Sequence, residues 1–439
     1  MSVGAVAALC LAVAPSEPLP AAAPIAPAEA PVEAVAAWLK SEPAALSGLV
    51  EGARVVGLGE GTHGTHEFFE WKRAAIEELV LRGDCRQVAF EIGFAEAAAL
   101  DGWVRGGPGD PVDLVRANAF SIYDTIEFVG LLRWLRSRNA QQPVEGQVRL
   151  RGIDCQSSFA AAEALARFLA QVDPDDAPRV RKLLAPLSAG SVAALSAERR
   201  LALRAALGDL ETQFDELEEK YVASSDEAGF AFARQLVVVL RQFEAQATGA
   251  AAAVGARASP PTGNPRDEAM AANVAFWVEQ APPDSITVVW AHNGHVSVAS
   301  DRGGQRWMGS WLRERFGSSY RAIGSCFGSG TFQALDGMRL DGSSGLQEFR
   351  VGPPRPDSVE APFHATGAER LLVDLRRPAP ADVAEWLDAP HPMRVIGGAF
   401  AERVVNGFDL GEWGAEEAPR ASFDALWFVR EATRAVPNR

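Results

Sequence analysis

Ile286-Thr287-Val288-Val289-Trp290-Ala291-His292-Asn293-Gly294-His295 is the stretch that decides the fold class. A nearly continuous apolar run stops at a glycine-bearing turn that carries two histidines. Such a run fits a strand buried on both faces of a parallel sheet, not the alternation of a half-solvated strand. Working outward, Arg54-Val55-Val56-Gly57-Leu58 is a second short β-branched run, and it opens into Gly59-Glu60-Gly61-Thr62-His63-Gly64-Thr65-His66. Phe68, Phe69, Ala75, Ile76, Leu79 and Val80 then recur at helical spacing, so these two histidines sit on a strand-to-helix turn. Two more runs end in acids: Gln87-Val88-Ala89-Phe90 before Glu91, and Val148-Arg149-Leu150-Arg151-Gly152-Ile153 before Asp154. The expected fold is α/β, with a mostly parallel central sheet, flanking helices and a large helical insertion. In an open sheet of this kind the crevice lies outside the carboxyl ends of the strands, where Glu60, His63, Glu91, Asp154, His292 and His295 would converge.

The insertion is read from a change of texture. Between Ser157 and about Ala251, Ala-, Leu- and Glu-rich runs such as Ala193 to Tyr221 and Glu227 to Ala247 carry apolar residues at three- and four-residue spacing. Gly249 to Pro265 reads as a small-residue loop, Asp267 to Gln280 and Trp307 to Phe316 as helices, and Tyr320 to Gly324 as a strand. These divisions give a core in two parts, residues 32–156 and 266–439, around an insertion over 157–265. Residues 1–31 form an Ala/Pro-rich flexible segment. Within it Val3 to Ala14 resembles a signal-peptide core, but no Lys or Arg precedes it and Pro15 would follow the cut. Location is left between the cytoplasm and export, and no membrane span is expected.

Composition narrows the function. With 439 residues, 48% hydrophobic and 23% charged, the chain has ample core for an ordinary globular protein. A net charge of −15 without a basic stripe argues against nucleic acid, whereas an acidic surface tolerates a cationic small molecule. Cys10, Cys85, Cys155 and Cys326 have no metal or scaffold spacing and are expected as free thiols. There is no Gly-x-Ser-x-Gly elbow, Walker loop or Gly-x-Gly-x-x-Gly after a strand.

What remains is histidine and carboxylate chemistry: a histidine near neutral pKa, held by an acid, takes a proton from water while other groups stabilise an oxyanion. Glu91 between Phe90 and Ile92 would be costly to bury unpartnered, which favours a site role. Asp154 suits a helix cap as well as chemistry, and His66 suits a first helical turn as well as a substrate contact. Lys72, about two turns beyond His63, either aims its ammonium at substrate or lies on a solvated helix face. His364 and His391 are read as surface or structural residues.

The same residues carry a family resemblance. Gly57-Leu58-Gly59-Glu60-Gly61-Thr62-His63-Gly64-Thr65-His66-Glu67-Phe68-Phe69 resembles the opening motif of the erythromycin esterase family, and Ala291-His292-Asn293-Gly294-His295-Val296 is similar to its second histidine motif. Arg266-Asp267 with Met270-Ala271-Ala272-Asn273-Val274, the segment Met308-Gly309 to Gly324, and Phe423-Asp424-Ala425-Leu426-Trp427-Phe428 extend the match from about residue 35 to about residue 435. The resemblance implies an α/β core with a helical insertion and a hydrolase that opens macrolide lactones. It implies His63 as general base, Glu60 as its supporting acid, and His292 and His295 as the second wall. Lys72 falls where the family often has arginine, and Glu91 where members differ. The preferred expectation is an ester hydrolase without metal or cofactor. Two alternatives stay open: a metal-dependent hydrolase using both His-x-x-His pairs with Glu60 and Glu91, and a non-catalytic haem- or metal-binding protein.

Overall fold

The structure is a computed structural model that describes residues 32–439, except residues 42, 189–191, 193–194, 256–263, 300–305, 339–344, 402–410 and 414. The signal-like segment and Cys10 lie outside the described residues. The four apolar runs become β1 (Val55–Leu58), β2 (Cys85–Gly93), β3 (Arg149–Asp154) and β4 (Ile286–Trp290). They neighbour one another in the order β3-β2-β4-β1, all parallel. Every residue of β1 and β4 is buried, as double-sided covering requires.

The two faces are covered by different helices. Val56, Leu58, Val88, Phe90, Val288 and Trp290 belong to a core with residues of the helices His66–Arg82, Ala97–Val104 and Ile126–Asn139. Val55, Ala89, Ile153 and Val289, from the other face, pack with the Pro265–Glu279 helix and with helices that lie between β3 and β4. The alternation follows from the two-residue period of a strand.

The sheet continues beyond β1 through β5 (Tyr320–Asp336), which also pairs with β6 (Leu346–Val351). β7 (Arg370–Asp374) forms the far edge, and β8 (His391–Met393) lies outside this sheet. β9 (Ala399–Phe400) pairs with the end of β5, and β10 (Ala415–Glu417) pairs with β8. β11 (Ala425–Ala432) lies between β5 and β7, parallel to the first and antiparallel to the second. A strand is expected only to Gly324, but β5 runs to Asp336 because pairing with β11 and β6 outweighs the weak strand preference of its glycines. Gly330, at φ 133°, is one such residue, and a Cβ there would collide with the Ala432 carbonyl. The loop expected over Gly249 to Pro265 is replaced by helix as far as Gly255, because Ala251-Ala252-Ala253 has a helical preference that outweighs the flanking glycines, and its part over residues 256–263 lies outside the described residues. Among the described residues no helix is long and apolar enough to cross a membrane.

Candidate active site

Parallel neighbours place their carboxyl ends side by side, so each run delivers its polar residue to one edge of the sheet. After β1 the chain turns through Glu60 to Thr65 before entering the His66–Arg82 helix. This loop is clamped: Ile396 N donates to the Gly61 carbonyl at 2.7 Å and Asn293 N to the Glu60 carbonyl at 2.9 Å. Gln333 N and Ala435 N donate to the Gly64 carbonyl at 3.1 and 3.0 Å. A Cβ at Gly64 would run into Gln333, so this approach needs glycine.

Inside the clamp Glu60 is fully buried. Its Oε1 lies 2.8 Å from His63 Nδ1, while Oε2 accepts from Lys72 Nζ at 2.8 Å and Trp290 Nε1 at 3.2 Å. Burial alone would push the Glu60 carboxyl up, but the Lys72 charge, with His63, holds it below the ordinary range. An ionised carboxylate only accepts, so His63 Nδ1 carries the hydrogen and the lone pair falls on Nε2. Among the described residues no hydrogen bond engages that nitrogen. Burial in turn brings the Lys72 ammonium down to about 8 against the pull of Glu60.

Across from it, His292 and His295 meet opposite surroundings. His292 Nε2 lies 3.0 Å from the Ile396 carbonyl and so carries its hydrogen, and Nδ1 accepts from Gly294 N at 3.3 Å. Burial, then the neighbouring His63 and His295, lower this histidine to about 3, so it is neutral. Its ring centroid lies 4.7 Å from that of His63. His295 has Nδ1 2.7 Å from Asp267 Oδ1 and Nε2 3.3 Å from Glu91 Oε1. Burial opposes its charge, but Asp267 and then Glu91 raise it to about 10, an imidazolium. Arg266 Nη1 also lies 3.0 Å from His295 Nε2, a contact that would suit a neutral acceptor. The carboxylates prevail because Glu91 Oε1, 2.7 Å from Arg266 Nη2, accepts from both cations. Glu91 is held well below its usual range by His295 and Arg266 despite burial, and its Oε2 accepts from His292 N at 3.1 Å.

The erythromycin esterase family model matches residues 80–432, a span that includes this second wall. The chain belongs to the erythromycin esterase family. It is 30% identical to erythromycin esterase type I of Escherichia coli over 125 residues, 28% of this chain and only 29% of that enzyme. It is 23% identical to the Escherichia coli type II enzyme over 357 residues, 75% of this chain and 82% of that one. Its fold is similar to that of a Bacillus cereus protein, with a TM-score of 0.77 and 23% identity over 93% of this chain and 99% of that chain. It is also similar to a mutant of the erythromycin esterase EreC in its open conformation, at TM-score 0.65 and 21% identity over 88% and 93%. The family is one of carboxylic-ester hydrolases.

In this member of the erythromycin esterase family Glu60, His63, Glu91, His292 and His295 are brought together at one edge of the sheet. Lys72 is fully buried, which removes the solvated-face reading, and its donors go to Glu60 and the Ala291 carbonyl at 3.2 Å, not outward to a ligand. Asp154 reaches the site through Arg266, accepting from its Nε at 3.1 Å and Nη2 at 2.9 Å, and also accepts from Cys155 N at 2.8 Å. His66 turns to Glu127 Oε1 at 2.7 Å, on the Ile126–Asn139 helix. His391 is buried, stacked on Trp386 and bonded to its carbonyl, a structural residue and not a surface one. Cys85, Cys155 and Cys326 are free and buried. All four ring nitrogens of His292 and His295 are committed, and among the described residues no three His, Cys, Asp or Glu are grouped to hold a metal. A crevice of about 700 Å³ lined by Glu51, Arg54, Arg82, Asp84 and Asp284 lies at the amino ends of the same strands and contains none of these residues.

Sequence reasoning missed Arg266 and Asp267 as site residues. The available signal was Asn264-Pro265, an N-cap and first-turn proline that place the pair at a helix start: Asn264 Oδ1 accepts from Arg266 N at 3.2 Å. Ile396, which contributes only its backbone, offers no signal of its own.

Proposed function

We propose that this chain hydrolyses a carboxylic ester or lactone, with a macrolide-type lactone as the substrate class, by water activated at His63 and without a covalent intermediate. His63 Nε2 takes a proton from water as the water oxygen adds to the carbonyl carbon. The resulting imidazolium is stabilised by Glu60 and returns the proton to the departing alkoxide, so the lactone opens to a hydroxy acid with the gain of one water. The developing oxyanion is stabilised by the cationic side of the second wall, with Arg266 as the donor and the His295 charge behind it. His292, a neutral donor committed to Ile396, orients that wall. The observation that carries this reading is the Glu60-bound His63 with an unengaged Nε2. The names of the relatives, erythromycin esterases, support the macrolide class, and the net charge of −15 suits a substrate bearing a cation.

The test is incubation with 14- to 16-membered macrolides, simple lactones and aryl esters, reading mass gain of one water. His63→Asn should retain the wild-type melting midpoint while turnover falls by roughly 10²- to 10⁴-fold. Wild-type turnover by the folded variant would remove His63 from the chemistry.

A further inference from the structure

Arg394 has no exposed surface and lies outside the histidine cluster. A buried guanidinium is costly unless its donors are met. Here Nη1 donates to the Phe327 and Gly328 carbonyls at 2.9 and 2.6 Å, and Nη2 donates to the Gly352 carbonyl at 3.0 Å and pairs with Glu412, while Nε is left without a partner among the described residues. Its backbone N donates to Glu360 Oε1 at 2.8 Å, and the guanidinium lies 4.8 Å from the ring centroids of both Phe327 and Trp413. These contacts fasten one short segment to β5 and to the end of β6.

That segment touches both histidine walls. The Arg394 carbonyl sits against Gly61, 3.3 Å from where a Cβ would stand. Two residues on, Ile396 N holds the Gly61 carbonyl at 2.7 Å and Ile396 O faces His292 Nε2 at 3.0 Å. The backbone of this one residue therefore holds the loop that carries His63 and, together with Gly294 N on Nδ1, favours the His292 tautomer with its hydrogen on Nε2.

We propose that Arg394 is a positioning residue for the reaction: through Ile396 it sets the spacing of the two histidine walls and the tautomer of His292. The proposal rests on His63 and His292 forming the reactive site. Its test has one readout independent of that reading, the ¹⁵N NMR tautomer signature of His292 in the full chain with labelled histidine. The variants are Arg394→Lys, which keeps charge but not the fork that reaches several carbonyls at once, and Glu412→Gln, a near-isosteric change at a partly exposed partner.

For Arg394→Lys we expect kcat to fall by about 10- to 100-fold with KM within about twofold, the size of effect a misplaced reacting group produces. The His292 signal should lose its pure Nε2–H character. Glu412→Gln should move both readouts the same way by a smaller amount. A folded Arg394→Lys with wild-type kcat and an unchanged His292 signal would overturn the proposal. So would an Arg394→Lys that fails to fold together with a Glu412→Gln that changes neither readout. If His63→Asn retains full activity the catalytic reading fails, while the tautomer signal still decides whether Arg394 controls His292.

Discussion

His292 and His295 stand three residues apart on one turn, yet one is held as a neutral donor and the other as a cation. For His292, burial and the repulsion of the neighbouring His63 and His295 outweigh the pull of the more distant Glu91 and Glu60. His295 lies between Asp267 and Glu91, which hold its charge. In a buried site a charge persists only where a partner is supplied, so the same side chain in one motif takes two chemical roles.

The sharpest way to break this contrast is to replace each ring with glutamine. His295→Gln removes a cation from between two buried carboxylates, so kcat should fall by about 10²-fold, as for loss of an oxyanion-stabilising group, and the melting midpoint should drop. His292→Gln keeps an N–H that can reach the Ile396 carbonyl, and its loss should stay under about tenfold. Equal losses in side-by-side kinetics would erase the distinction.

The His63 wall supplies a second comparison, since its acid is balanced by Lys72 and not by a histidine. Lys72→Met leaves Glu60 with only His63 and Trp290, so turnover should fall by about tenfold with some loss of stability. With Lys72 near 8, the wild-type rate should decline as pH rises through that value, and Lys72→Arg should carry the decline to higher pH. A pH–rate profile of the arginine variant that superimposes on wild type would show that Lys72 does not set the alkaline limb.

The smallest expected effect is on stability. His292, about 3 in the folded protein against about 6.5 unfolded, binds fewer protons when folded, so stability is lost as pH falls from about 6.5 towards 3. His295, raised to about 10, does the reverse: its contribution is complete below about 6.5 and is lost as pH rises through 10. Lys72, lowered to about 8, partly offsets the alkaline loss, because between 8 and its unfolded value of about 10.5 the unfolded chain binds more protons. Calorimetric midpoints across pH should show a shift of a few degrees on each flank. The acid flank should flatten in His292→Gln and the alkaline flank in His295→Gln.

The sequence alone determined the two central strands β1 and β4, because a run buried on both faces must be apolar almost throughout, and Val55–Leu58 and Ile286–Trp290 are. It also determined that Glu60, His63, His292 and His295 follow strand ends and that Glu91 lies close to one, and hence that they meet at one edge. The outer half of β5 was not legible, since its glycines weaken the local signal and its partners lie elsewhere in the chain. Nor was the burial of Lys72, because helical spacing places a residue on a face without saying what covers that face. The protonation of the histidines was decided by tertiary structure alone. A histidine's charge depends on whether a carboxylate or a carbonyl lies within 3 Å or so, and those partners, Asp267 and Ile396, come from segments that adjoin the second motif only after folding.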